Sequence, residues 1–316
     1  MKFKILFTAL TFLGLFSSQV NATVNTQAHV GSYNLILQND LQTNAEVEGS
    51  AFIGGDINGN TIVFGAALSP EPNVDAVTVV GNISPKLTIQ NGHNAVYGGS
   101  ASNGFNLNGG GSATNVSQTT LASEFNSIYD QVISDSNYFA GLETNGSFDG
   151  SDQNNKLITA NETSGLNVIN INASDLSNGG ELDLAQLPDV PVVINVIGVG
   201  DIVITTKIGN KGAGLQGDSL ASLVLWNFNT ATSISFQSDG WVGSILAPYA
   251  DVSSSTGHLE GALAAKSYSG NVELHNSLFA YTPDTSTTPS TEVPAPAGLA
   301  LIGLGILFIT RRKFKK

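Results

Sequence analysis

The chain has 316 residues, with 12 Lys and Arg against 25 Asp and Glu, a formal charge of −13, and no cysteine. Lys2 and Lys4 sit at one end and Arg311, Arg312, Lys313, Lys315 and Lys316 at the other, so the middle sets five lysines against every acid, a charge of −20. A body this acidic is repelled by phosphate backbones, which excludes nucleic acid as a partner; the missing thiols exclude thiol catalysis, iron–sulfur clusters, thiolate zinc sites and a disulfide scaffold.

Met1–Lys4 is a basic start, followed by the apolar run from Ile5 to Phe16. Val20 and Ala22 then supply small or aliphatic residues at −3 and −1 of a cut after Ala22, the layout of a secretory signal peptide over residues 1–22. The apolar run is too short for a permanent anchor. Export is therefore expected.

The body, residues 23–281, is rich in Gly, Asn, Ser and Thr, with 35 glycines in the whole chain and no three-residue period. Short runs of Val, Ile and Leu stand between turn-forming clusters, among them Val190–Val196, Asp201–Thr206, Ser222–Phe228 and Ser233–Gln237. One segment departs from the pattern. Across Ser117–Leu142, Leu121, Phe125, Ile128 and Val132 recur at helical spacing, with Ser117 placed as N-cap and Glu124, Asp130 and Asp135 expected in water.

An internal echo sets the architecture. Val47-Glu48-Gly49-Ser50-Ala51-Phe52-Ile53 resembles both Trp241-Val242-Gly243-Ser244-Ile245-Leu246-Ala247 and Leu259-Glu260-Gly261-Ala262-Leu263-Ala264-Ala265, and Gly243 and Gly261 lie 18 residues apart. A repeat of that length, dense in glycine and small aliphatics, fits one coil of a solenoid. The expected fold class is mainly β: a β-solenoid of the parallel β-helix kind with one flanking amphipathic α-helix. A β-sandwich is the alternative.

Catalytic constellations are hard to find. The carboxylates look scattered among Gly and Asn, as solvated turns do, and no pair stands out for glycoside hydrolysis. His29, His93, His258 and His275 never fall at i, i+4, and His275 beside Asn276 reads as a structural hydrogen-bonder. No Gly-x-Ser-x-Gly elbow is present. No cofactor is expected; the weak calcium candidates are Asp56 with Asn58, and Asp149 with Asp152, in oxygen-rich turns that lack the final Glu of an EF-hand. Ice binding would require regularly spaced Thr, and the best candidates, Thr205-Thr206 and Thr230-Ala231-Thr232, stand isolated.

The segments Leu223–Phe228, Gly240–Pro248, Leu259–Gly261, Ala265–Ser267 and Glu273–Asn276, with Tyr33–Leu37 and Val47–Ala51 earlier, resemble the choice-of-anchor A domain across most of residues 31–281. The resemblance implies a bacterial surface module attached through interchangeable C-terminal signals, and it brings no catalytic residues. Thr282–Glu292 is a Thr/Ser/Pro linker. Val293-Pro294-Ala295-Pro296, the apolar run Gly298–Thr310 and the basic tail then resemble the PEP-CTERM sorting signal of Gram-negative bacteria that make exopolysaccharide, with Ala295 where that signal usually has Glu. The resemblance implies transient inner-membrane anchoring over residues 293–316 and an exosortase-type processing enzyme as partner. Together these expectations describe an exported, surface-sorted, non-catalytic structural or adhesive protein associated with exopolysaccharide, surface glycans or biofilm matrix. The alternatives are a polysaccharide-acting enzyme on a β-solenoid and an ice-binding protein.

The tail carries its own test. Thirteen apolar residues with three glycines would reach about 20 Å as a helix against a hydrocarbon core of about 30 Å. They form a weak permanent span, so intact-mass spectrometry of protein from the native host should find a chain ending near Pro296. A mass that includes Lys316, in an inner-membrane fraction, would show an unprocessed tether.

Overall fold

The computed structural model describes residues 29–71, 73–184, 187, 189–208 and 218–281. The signal-peptide cut at Ala22, the linker 282–292 and the sorting motif Val293–Pro296 with its tail lie outside the described residues. Among the described residues no helix is long and apolar enough to cross a membrane.

Parallel strands wind into three-sided coils. One coil runs through the strand Ser244–Ser254, which turns a corner between Ala247 and Asp251, then His258–Glu260, and the next begins at Leu263. Ile245 pairs with Leu263 and Trp241 with Leu259, the 18-residue period of the echo. The first face carries the strand order 113–115, 94–97, 75–79, 51–53, 35–37, 263–270, 244–254, 224–227, 192–197, 167–172. Its central strands carry apolar residues at successive positions, as in Leu35-Ile36-Leu37 and Val192-Val193-Ile194, because both sides are covered. Leu35, Leu37, Ile245 and Ala247 face the interior of the coils, while Ile36, Phe52, Leu225, Leu246 and Ala264 lie under the helix.

That strand order starts in the middle. The chain enters at Leu35–Leu37, winds outward to 113–115, crosses to the far end, and winds back inward to the strand Leu263–Gly270, which pairs with Leu35–Leu37 in parallel. Ten stacked strands span about 43 Å at the usual sheet spacing. The long helix, Gln118–Ala140, has 23 residues and reaches about 35 Å. It makes most of the return trip.

Its buried row is Leu121, Phe125, Tyr129, Val132, Asp135, Ser136 and Phe139. Tyr129, rather than the expected Ile128, takes the central place, and its hydroxyl donates to the carbonyl of Pro248. Ile128 is half-buried at the edge of the stripe. Asp135 is buried and accepts from Gln131 Nε2 at 2.7 Å, against the expectation that it faces water; Glu124 and Asp130 are exposed as expected. Ser117 holds the N-cap position, yet its side chain makes no capping bond. Asn195 and Asn227, opposite each other on the first face, fix the helix lengthwise: Asn195 Nδ2 donates to Phe139 O, Asn227 Nδ2 to Ser136 O, and Ser136 Oγ to Asn227 Oδ1 at 2.7 Å.

The two halves of the chain meet coil against coil. The coil that ends at Glu273–His275 stacks on the one that begins at Leu35–Leu37, with Leu263 beside Leu35, Tyr268 beside Leu41 and Leu274 beside Val47. Between other successive coils the corner from third side to first is covalent, as Glu260-Gly261-Ala262 and Glu48-Gly49-Ser50; at this seam it is a break between Asn276 and Asn34. Asn34, fully buried, bridges it. Its Nδ2 donates to His275 O at 2.9 Å and to Gly261 O at 3.1 Å, and its Oδ1 accepts from Gly49 N at 3.0 Å. The bridge needs a bare backbone beside it. A Cβ on Gly49 would lie 2.6 Å from Asn34 Cβ and 2.3 Å from Asn276 Oδ1, and Gly261 has φ +145°.

The helix dock rests heavily on Phe125, whose ring meets Phe52 edge-on at 5.2 Å and occupies space that a side chain on Gly54 would fill. Phe125→Ala should cost about 3–5 kcal/mol in denaturant unfolding. A midpoint and slope equal to wild type would mean that the helix does not pack on the first face.

Candidate functional site

The second face has an inner row of Ile202, Ile234, Val252, Tyr268, Leu41, Ile57 and Ile83, paired strand to strand in parallel. Alternation along each strand puts the residues on either side of that row on the outer surface. One outer row reads Val203, Ser235, Ser253, Ser269, Gln42, Asn58, Ser84 and Ser102; the other reads Asp201, Ser233, Asp251, Ser267, Asp40, Asp56, Asn82 and Ser100. Eight coils thus present two lines of short side chains, hydrogen-bonding at every position but Val203, each step about 4.8 Å.

The second line is tied down along its length. Asp40 Oδ1 accepts from Asp56 N at 2.8 Å, Asp56 Oδ1 from Asn82 N at 2.6 Å, and Asn82 Oδ1 from Ser100 N at 3.0 Å. Asp251 takes Ser267 Oγ at 2.6 Å and Lys266 Nζ at 2.7 Å. Partial burial pushes the Asp251 carboxyl up, but Lys266 and Ser267 outweigh it and hold the group below the usual range. At one edge of this face, Gln42, Asn44, Ser254, Ser255, Ser269, Gly270 and Asn271 line a polar groove of about 360 Å³. Asn271 Oδ1 accepts from both Asn44 N and Asn44 Nδ2 there.

This ladder claims several residues that the sequence assigned elsewhere. Asp56 and Asn58 stand on this face, Asp56 accepting from Asn82 N and Asn58 lying within the strand Ile57–Asn58. Asp149 and Asp152 lie in a different sheet region, where each carboxylate accepts the backbone N–H two residues on, from Ser151 and Asn154. The bonds from Ser151 hold Asp149 below its ordinary pKa. The structure does not bring the two pairs together. The threonines do not line up either: Thr206 is buried with its hydroxyl on Lys156 Nζ at 2.7 Å, Thr205 accepts from Gly179 N, and Thr230 donates to Gly198 O. Lys156 itself is buried and bonded to Asp175 O, Asn178 Oδ1 and Gly179 O, a structural tie that nothing in the local sequence announces.

The third face holds a second cluster, and here the expectation of scattered carboxylates fails. His258 and Glu260, Glu273 and His275, and Glu46 and Glu48 stand on three adjacent strands, with Leu259, Leu274 and Val47 inward between them. His275 does form a hydrogen bond, to Glu260 Oε1 at 2.6 Å through Nδ1, but its Nε2 also faces Glu273 Oε2 at 3.5 Å. Burial pushes His275 down, while Glu260, Glu48 and the bonds to Glu260 and Glu273 overcome it and raise the imidazole overall. Glu46 is raised first by burial and then by Glu273 and Glu48. The echo held a usable signal. Glu48-Gly49 and Glu260-Gly261 occupy the same coil position, so stacking places both glutamates in one row with His275 between them.

A family model described as "Putative Ice-binding-like adhesive domain" matches residues 26–276. The matched family is named for adhesion and ice binding rather than for choice of anchor, and the match stops short of the C-terminal signal. Among solved structures, the chain is similar to an ice binding protein from an Antarctic Biological Consortium, at 14% identity over 87% of this chain and 95% of that one, with a TM-score of 0.31. It is also similar to an ice binding protein from an Antarctic bacterium, Flavobacteriaceae, at 12% identity over 80% and 82%, with a TM-score of 0.30. No curated protein matches.

Proposed function

The chain belongs to the ice-binding-like adhesive domain family, and on that footing we propose that it is an exported, non-catalytic surface module whose second face adheres to a hydroxyl-rich polymer of the cell surface or matrix. The observation that carries this reading is the double row of Ser, Asn, Asp and Gln running in register over eight coils and interrupted at Val203. A single hydroxyl contact in water contributes little. Many such contacts on one rigid face, engaging a repeating polymer, add through effective concentration. A body charge of −20 disfavours polyanions, so neutral exopolysaccharide or surface glycans are the ligand class. Surface display is supported by the signal-peptide layout, the Thr/Ser/Pro linker and the tail with Val293-Pro294-Ala295-Pro296, which would engage an exosortase-type enzyme during transient inner-membrane anchoring.

Ice is the second reading, favoured by the flatness and regularity of the same face. Against it, Asp40, Asp56, Asp201 and Asp251 put carboxylates in one of the rows, and ionised groups hold their water strongly.

Sedimentation of the purified protein with a panel of polysaccharides separates these readings. Retention on one or more neutral polymers should fall at least tenfold on S253R and S269R, which place bulky charge in mid-face, with the melting temperature unchanged. Retention unaffected by both substitutions would remove the second face as the adhesive surface. Release of reducing ends or unsaturated products would identify an enzyme, and inhibition of ice recrystallisation lost in the same variants would identify an ice binder.

A further inference from the structure

The cluster on the third face has a ligand geometry of its own. Glu48, Glu273 and His275 place one ligand atom each within 4.8 Å of the others. Nδ1–H donates to the Glu260 carboxylate at 2.6 Å, so in the neutral imidazole Nε2 carries the lone pair on the side of Glu273, and a metal ion there would displace the proton of the charged form. A carboxylate behind the far nitrogen is the usual companion of a metal-bound histidine, fixing its tautomer and raising its basicity. Glu48 is positioned too, since its Oε2 accepts from Asn276 N at 3.0 Å and its other oxygen is left for a ligand.

Charge points the same way. Among the described residues, Glu260 pairs with His258 and His275 and Glu273 with His275, and no lysine or arginine pairs with Glu46, Glu48, Glu260 or Glu273. The two imidazoles stack, with centroids 5.3 Å apart and planes 5° apart, so they compete for the same small area rather than spreading over the acids. Four carboxylates on adjacent strands thus retain a charge that a bound cation would neutralise.

We infer that His275 Nε2, Glu48 and Glu273 form a site for a divalent transition metal of the zinc class, with Glu260 as the orienting partner of His275. One imidazole and two carboxylates suit zinc, nickel or cobalt, whereas calcium and magnesium prefer all-oxygen shells. The position gives the site a structural consequence. Glu48 comes from the half of the chain that winds outward, and Glu273 and His275 from the half that returns, on strands that meet at the seam. An ion held by all three ties the two halves together, so binding is linked to folding.

The test uses the full chain, stripped with EDTA and dialysed, titrated with zinc sulfate by calorimetry and followed by thermal melting. One ion per chain should bind, and zinc at a hundredfold excess over its Kd should raise the melting temperature by about 5 °C or more. H275Q and E48Q should each lose the zinc-induced shift, and E260Q should weaken binding at least tenfold while ligands remain. D149N with D152N should leave the shift intact. Wild-type protein loaded with cobalt should show a visible absorption band that zinc displaces, a readout independent of whether any variant folds. No zinc-dependent shift and no cobalt band in wild type would overturn the site; so would a shift preserved in H275Q and E48Q, or calcium raising the melting temperature as much as zinc does.

Discussion

Everything in this molecule depends on joining two coils that come from opposite ends of the chain. Asn34 spends both amide hydrogens and its oxygen on three partners along the seam: His275 at the end of the returning half, Gly261 at the corner on one side and Gly49 at the corner on the other. The Gly261 and Gly49 bonds are buried, and leaving such a group unpaired costs about 1–3 kcal/mol. The main chain adds to the seam, with Asn34 N on Ser50 O and Leu263 N on Asn34 O. Because Leu35–Leu37 has a neighbour on each side, neither half of the solenoid completes its first face without the other.

The long helix follows from the same constraint. A chain that starts in the middle and winds to one end must travel the length of the stack before it can return. A helix whose buried row lies over Ile36, Phe52, Leu246, Ala264 and Leu225 makes that trip while covering the apolar outer side of the first face. It straps the seam from outside, as Asn34 bridges it at the corner. The seam also explains the third face. Parallel stacking puts residues of equal coil position in rows, and at the seam it sets Glu46 and Glu48 against Glu273 and His275 across more than 200 residues of sequence.

Much of this was legible beforehand, for identifiable reasons. Strands, turns and the helix leave local signatures, and Gly243 and Gly261 reported the coil period directly, since Trp241 does pair with Leu259. Ile128 was misread in favour of Tyr129 because an amphipathic tyrosine counts for little in an apolar stripe, although its ring packs and its hydroxyl finds Pro248 O. Asp135 was placed in water because charge usually is. The crossover was not legible at all. Parallel pairing between Leu35 and Leu263 leaves no turn, cap or spacing to read, and the cluster of Glu48, Glu273 and His275 exists only once that pairing is known. The ladder of the second face lay between: Asp201–Thr206 and Ser233–Gln237 were read as strands, whereas Asp56 and Asn58 were read as a turn, when alternation around Ile57 makes them one side of a strand.

Native-state hydrogen exchange at the seam tests this closure most directly. The amides of Leu35, Gly49 and Leu263, bonded to Ser50 O, Asn34 Oδ1 and Asn34 O, should exchange together and as slowly as Ile245, which bonds to Ala262 O in an uninterrupted part of the stack. That pattern would mean the seam opens only when the whole solenoid unfolds. Exchange of Leu35 and Gly49 orders of magnitude faster than Ile245 under native conditions would show the outward-winding half detaching by itself, and would contradict a stack joined from both halves of the chain.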